Sequence, residues 1–97
     1  MSFSEQEIQA VWEKGFRAGS YDPNYVRQDA CAALMERVRH GDRHSRYGWE
    51  IDHIDPKGGD NIENLQPLQW ENNVDKSDGQ LKCAVRAIGN TNYATDT

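Results

Sequence analysis

The chain has 97 residues, 28% charged and 36% hydrophobic, with a formal net charge of −5. That size and balance describe one globular domain over residues 1–97 and exclude a disordered or fibrous chain. No apolar run approaches the ~20 residues of a membrane span, and the acidic balance argues against a general nucleic-acid binder.

Met1 to Glu7 hold no basic region followed by an apolar stretch, so no secretory leader is expected. Ser4 and Glu7 have the Ser-x-x-Glu spacing of a capping box, which satisfies free amides at a helix start. Ile8, Val11, Trp12 and Phe16 recur at helical spacing. They predict an amphipathic helix over 4–17 with those four side chains on the core, stopping near Gly19. Asp22-Pro23 marks a turn or a new helix start. Residues 30–39 read as helix by propensity or as a short strand, and 40–48, holding Gly41 and Gly48, read as loop.

Trp49, Ile51 and His53 alternate with Glu50 and Asp52, which predicts a short strand. Pro56, Gly58 and Gly59 end it in a polar loop over 55–63. Asn64 to Leu68 predicts a second strand, confined to a sheet edge by Pro67. Glu71 to about Ser77 predicts a helix, with Gly79 beyond its end. Leu81 to Arg86 alternates as a strand, and Gly89-Asn90 turns it back toward Tyr93. Cys31 and Cys83 are far apart with no Cys-x-x-Cys pair, so free thiols and a cytoplasmic location are the default expectation.

Charge is unevenly spread. Residues 31–48 carry net +2, while 49–78 carry net −6. The acidic stretch also holds Asp52, His53, Asn64, Asn73 and Lys76. A histidine titrating near neutrality can take a proton from water. A neighbouring carboxylate, helped by the amide oxygen of Asn73, can hold a hard divalent cation with positions left for water and a phosphate. Asn73 and Lys76 are three residues apart, so on a helix they share a face. A metal that clamps a phosphate beside a base that activates water performs phosphodiester hydrolysis. Asp52 and His53 are adjacent, and in a regular strand they point to opposite faces. They serve one site only where the strand ends or bulges, as Ile54-Asp55-Pro56 allows.

The run Trp49 to Pro56, then Gly58-Gly59, then Asn64-Leu65-Gln66-Pro67-Leu68, then Asn73 and Lys76 resembles the HNH endonuclease motif over residues 49–78. The resemblance implies a ββα-metal core. With the N-terminal amphipathic helix and the C-terminal hairpin, this predicts an α+β fold in a small single domain. It further implies a metal-dependent DNA endonuclease leaving 5′-phosphate ends, with His53 as general base, Asp52 and Asn73 as metal ligands, and Asn64 bracing the loop that holds His53. Lys76 matches the motif's terminal lysine, in a supporting role toward substrate. The implied cofactor is one divalent ion, Mg2+ foremost, with Mn2+, Ni2+ or Zn2+ as alternatives. The implied partner is nucleic acid, double-stranded DNA, with no membrane involved. Two departures stand out. Asn73 replaces the frequent His, as in the HNH domains of RNA-guided CRISPR effectors and of phage junction-resolving nucleases. Gln69 and Asn72 stand where many relatives carry the second Cys pair of a structural zinc. Apolar packing by Trp49, Leu65, Leu68 and Trp70 must then hold the core.

Several further readings accompany this one. Arg37, Arg39, Arg43 and Arg46, with His40 and His44, either contact DNA phosphates or form a solvated face. His40 and His44 with the two cysteines have the makings of a zinc site, and Asp52, Asp55 and Asp60 those of a calcium loop. Tyr47 either packs or contacts nucleic acid. The competing function is a catalytically inactive HNH-like module that binds DNA or a protein partner.

Overall fold

A computed structural model describes residues 2–95. Helix α1 spans Glu5–Trp12. Its capping box forms as predicted: Ser4 Oγ accepts from the Glu7 amide (3.1 Å), and Glu7 Oε1 from the Ser4 amide (2.8 Å). The helix buries Ile8, Val11 and Trp12, but it stops well short of residue 17. The Lys14 and Gly15 amides donate three residues back, to Val11 and Trp12, so the last turn tightens and the chain departs. A Cβ on Gly15 would sit 3.1 Å from Arg27 Cβ, so the small residue lets the two segments meet. The Arg27 guanidinium then takes up the Glu13 and Gly15 carbonyls. Phe16, expected in the core, lies instead on a strand with 61% of its surface exposed.

That strand, β1 (Phe16–Arg17), opens a three-stranded antiparallel sheet with β2 (Val26–Gln28) and β3 (Leu34–Glu36). The ambiguous stretch 30–39 resolves into a tight turn, β3 and a 3-10 turn over Arg37–Arg39. The turn is organised by Asp29, whose Oδ1 accepts the Cys31 and Ala33 amides, with Ala32 at a φ of 64°.

Strands β4 (Trp49–His53) and β5 (Leu65–Gln69) pair antiparallel along five residues, from Trp49 opposite Gln69 to His53 opposite Leu65. Pro67 needs no ladder donor there, because a two-stranded ribbon leaves each strand an open edge. Helix α2 (Trp70–Asp75) follows β5 without a loop, capped by the Gln69 side chain, whose oxygen accepts the Glu71 and Asn72 amides. The chain closes with the hairpin β6 (Val85–Ile88) and β7 (Thr91–Ala94), turned at Gly89, as the turn residues predict.

Ile8, Val11, Trp12, Met35, Trp49 and Leu65 form the apolar core, with the Trp12 and Trp49 rings 5.2 Å apart. Phe3 and Ile51 pack against it. Trp49, Leu65 and Leu68 are buried as predicted. Polar groups join the three small sheets. Asp29 Oδ2 accepts the Gln69 amide (2.9 Å) and Asn72 Nδ2 (3.0 Å), and Asn72 exchanges two further hydrogen bonds with the Val85 backbone. Asn92 makes the matching exchange with Leu34. Gln69 and Asn72 are fully buried and hydrogen bonded to this Asp29 hub.

The two cysteines are not free thiols. Although 52 residues apart in sequence, Cys31 and Cys83 form a disulfide, because the Asp29 turn and the approach to β6 bring their Cα atoms to 5.3 Å. They lend no support to a reducing compartment. No helix among the described residues is long and apolar enough to cross a membrane.

Candidate active site

One face of β4 lies against α2, and the two elements match in register. Alternation puts Glu50 and Asp52 on the same side of the strand, while Asn73 lies in the last turn of α2 and Lys76, its C-cap residue, is already extended and not part of the predicted helix face. Asn73 Nδ2 accordingly donates to Glu50 Oε1 (2.8 Å), and Lys76 Nζ donates to Asp52 Oδ1 (3.0 Å) and Oδ2 (2.9 Å). Both side chains of the Lys76–Asp52 pair are more than nine-tenths buried. The ammonium also donates to the carbonyls of His53 and Ile54. Gln66, opposite Asp52 in the ladder, donates to Asp52 Oδ2 (2.9 Å). The pair is therefore the organising contact at the end of β4.

His53 is the last residue of β4, paired with Leu65 without a bulge. Its Nε2 donates to Asp60 Oδ1 (2.6 Å), and its ring centroid lies 6.4 Å from that of Phe3. An ionised carboxylate only accepts, so Nε2 carries the proton in the neutral ring and Nδ1 keeps the lone pair. Asn64 braces the loop beyond: its Oδ1 accepts the Asp55 amide (2.9 Å), and its Nδ2 donates to the carbonyls of Asp55 (3.0 Å) and Gly59 (2.9 Å). A Cβ on Gly58 would come within 2.6 Å of Asn64 Nδ2, so the glycine is what lets the side chain seat. The brace thus fixes the loop that carries Asp60 toward His53.

Asp52, His53, Asn73 and Lys76 line one open cleft of about 380 Å³, together with Ile51, Pro56, Asp78 and Gly79. Asn64 acts on its rim through the loop. Among the described residues no group of three His, Cys, Asp or Glu side chains is disposed to hold a metal ion. A cation in the cleft would rest on the Asp52 carboxylate and the Asn73 amide oxygen. These are hard donors that suit Mg2+ or Mn2+ in kind, with the remaining positions taken by water and phosphate oxygens.

Of the four arginines, Arg43 alone is tied to a cleft residue, through Glu50 to Asn73. Its guanidinium makes a two-point pair with Glu50 (2.6 and 2.9 Å) over the Trp70 ring. Arg43, foremost, holds the Glu50 carboxyl below its ordinary range, with Asn73 adding to the effect and burial opposing it. Arg37 donates to Gln9 beside Glu5 and lies over Trp49. Arg39 sits between Glu36 and Asp42, and Arg46 reaches the Asn92 carbonyl. The zinc alternative is overturned, because both cysteines are consumed in the disulfide. His40 packs its ring tilted against Trp49, and burial, followed by the charge of Arg37, lowers its pKa. The calcium loop also disperses: Asp52 meets Lys76, Asp55 accepts the Lys57 amide, and Asp60 meets His53. Tyr47 donates to the Asn90 carbonyl. The motif assigned no role to Asp60, Gln66 or Glu50. Asp60 and Gln66 become visible only once the loop folds back and the ladder register is set.

No protein-family model, curated protein or solved structure matches this chain.

Proposed function

We propose that the chain is a metal-dependent endonuclease of HNH type that hydrolyses phosphodiester bonds in double-stranded DNA. The observation that carries the reading is that Asp52, His53, Asn73 and Lys76 all line one cleft, in the order and spacing of the motif over 49–78. Asp52 and Asn73 would hold a divalent cation, foremost Mg2+, which when bound supplies positive charge to the phosphate oxygens. His53, its Nε2 held by Asp60, takes a proton from water at Nδ1. The water oxygen bonds to phosphorus as the P–O3′ bond breaks, and the leaving 3′-oxygen takes a proton from solvent, giving a 5′-phosphate and a 3′-hydroxyl. Asn64 keeps the Asp60 loop in place, and Lys76 is the cation that lines the cleft.

A plasmid-nicking assay with Mg2+ or Mn2+ tests this. Removal of a general base should lower the rate ~10²–10⁴-fold in His53→Ala. Equal metal-dependent cleavage by both proteins, or none by either, refutes the reading. One observation favours a second reading, a module without turnover that binds DNA or a protein partner: both Asp52 oxygens are already engaged by Lys76. DNA binding unaffected by EDTA, with no cleavage, distinguishes it.

A further inference from the structure

The contact that most resists the simple picture of a waiting metal site is the Lys76–Asp52 pair. Lys76 Nζ bridges both carboxylate oxygens and also ties the carbonyls of His53 and Ile54, and Gln66 occupies Oδ2 from the other side. With only 6% of the lysine side chain and 8% of the aspartate side chain exposed, this is a seated cation rather than a passing surface contact. A divalent ion on Asp52 would compete for these oxygens, where the three hydrogen bonds leave one of four lone-pair sites, on Oδ1 beside the ammonium. It would also face the ammonium at close range, with little water to screen the repulsion.

We propose that Lys76 is the resident counter-ion of Asp52 and a displaceable plug in the cation site. This inference rests on the nuclease reading and deepens it. With the plug seated, Asp52 is neutralised and the end of β4 is held in place without metal. A divalent ion enters only as the ammonium leaves Asp52. The released lysine then lies in the cleft that admits phosphate, where an anionic oxygen replaces its lost partner. Metal binding to the free protein is consequently weak.

Titration of Mn2+ into the full chain, followed by calorimetry or by electron paramagnetic resonance of the free ion, tests this without reference to cleavage. Lys76→Met removes the competing cation and should bind Mn2+ at least tenfold more tightly than the parent, while Asp52→Asn should abolish binding. Equal or weaker binding by Lys76→Met, or no binding by either protein, overturns the proposal. A purely structural lysine would give that result. A second measurement on the unaltered chain guards against a variant that does not fold. Acetylation of Lys76, read by mass spectrometry against the exposed Lys57, should be slow without metal and rise several-fold at saturating Mn2+. Protection of Lys76 that persists when Mn2+ is bound overturns the proposal equally. The nuclease reading is judged separately by the His53→Ala nicking assay, so the two fail independently.

Discussion

Asn72 and Asn73 are adjacent, chemically identical, and placed in two different worlds by one short helix. Asn72 is fully buried, and its amide is spent entirely on Asp29 and the Val85 backbone. Asn73 lines the open cleft, and its amide nitrogen alone is engaged, by Glu50. The same division runs through the neighbourhood. On the hub side, Asp29 accepts four N–H groups, and among the described residues no buried side-chain polar atom is left unpaired. On the cleft side, ion pairs face a cavity where water, a cation or a phosphate can compete for them. Saturated partners make structure, and contested partners make a site.

The largest effect expected is on the hub. Asp29→Ala leaves four backbone or amide donors without their acceptor, each costing ~1 kcal/mol or more when buried. Chemical denaturation should show a loss of at least ~4 kcal/mol, much of a small domain's stability. A loss comparable to a surface substitution would break the contrast between the two sides. Reduction of the disulfide should cost roughly 4 kcal/mol through loop-closure entropy alone, seen as a lower denaturant midpoint under dithiothreitol. A smaller, more pointed effect separates the twin asparagines. Asn72→Ala should cost about 2–3 kcal/mol by unpairing buried groups, while Asn73→Ala should leave stability within ~1 kcal/mol and weaken Mn2+ binding instead. Equal stability losses would mean that Asn73 belongs to the scaffold.

What was legible in the sequence follows the same line. Local signals held: the capping box at Ser4 and Glu7, the alternation of Trp49–His53, and the Gly89 turn. Each depends on residues a few positions apart. The misread features are long-range. Phe16 keeps the helical spacing but sits beyond the point where Gly15 and Arg27 end the helix. Nothing near Cys31 signals a partner 52 residues away. The Asp29 hub draws on three separate segments. The arginine run left phosphate contact and a solvated face both open, and the fold brings Glu5, Glu36, Asp42 and Glu50 against it. Charge summed along the chain cannot show such pairing.

The smallest expected effect lies at the boundary between the two sides, in the Arg43–Glu50–Asn73 chain. Arg43 holds the Glu50 carboxyl below its ordinary value of 4.5 in the folded state. A depressed folded value means that the unfolded chain binds the proton more readily. The pair therefore contributes its stability above about pH 4.5 and loses it as the pH falls further. Arg43 is solvent-exposed, so the contribution is small and screened by salt. Comparing melting temperatures of the parent and Arg43→Met isolates it from the other carboxylates. The gap between them should be widest near neutral pH at low salt, narrow as the pH drops below 4.5, and shrink with added salt. A gap that stays constant with pH would mean that Arg43 stabilises by packing on Trp70 rather than by its charge. Glu50, and Asn73 with it, would then be electrostatically independent of the one arginine beside them.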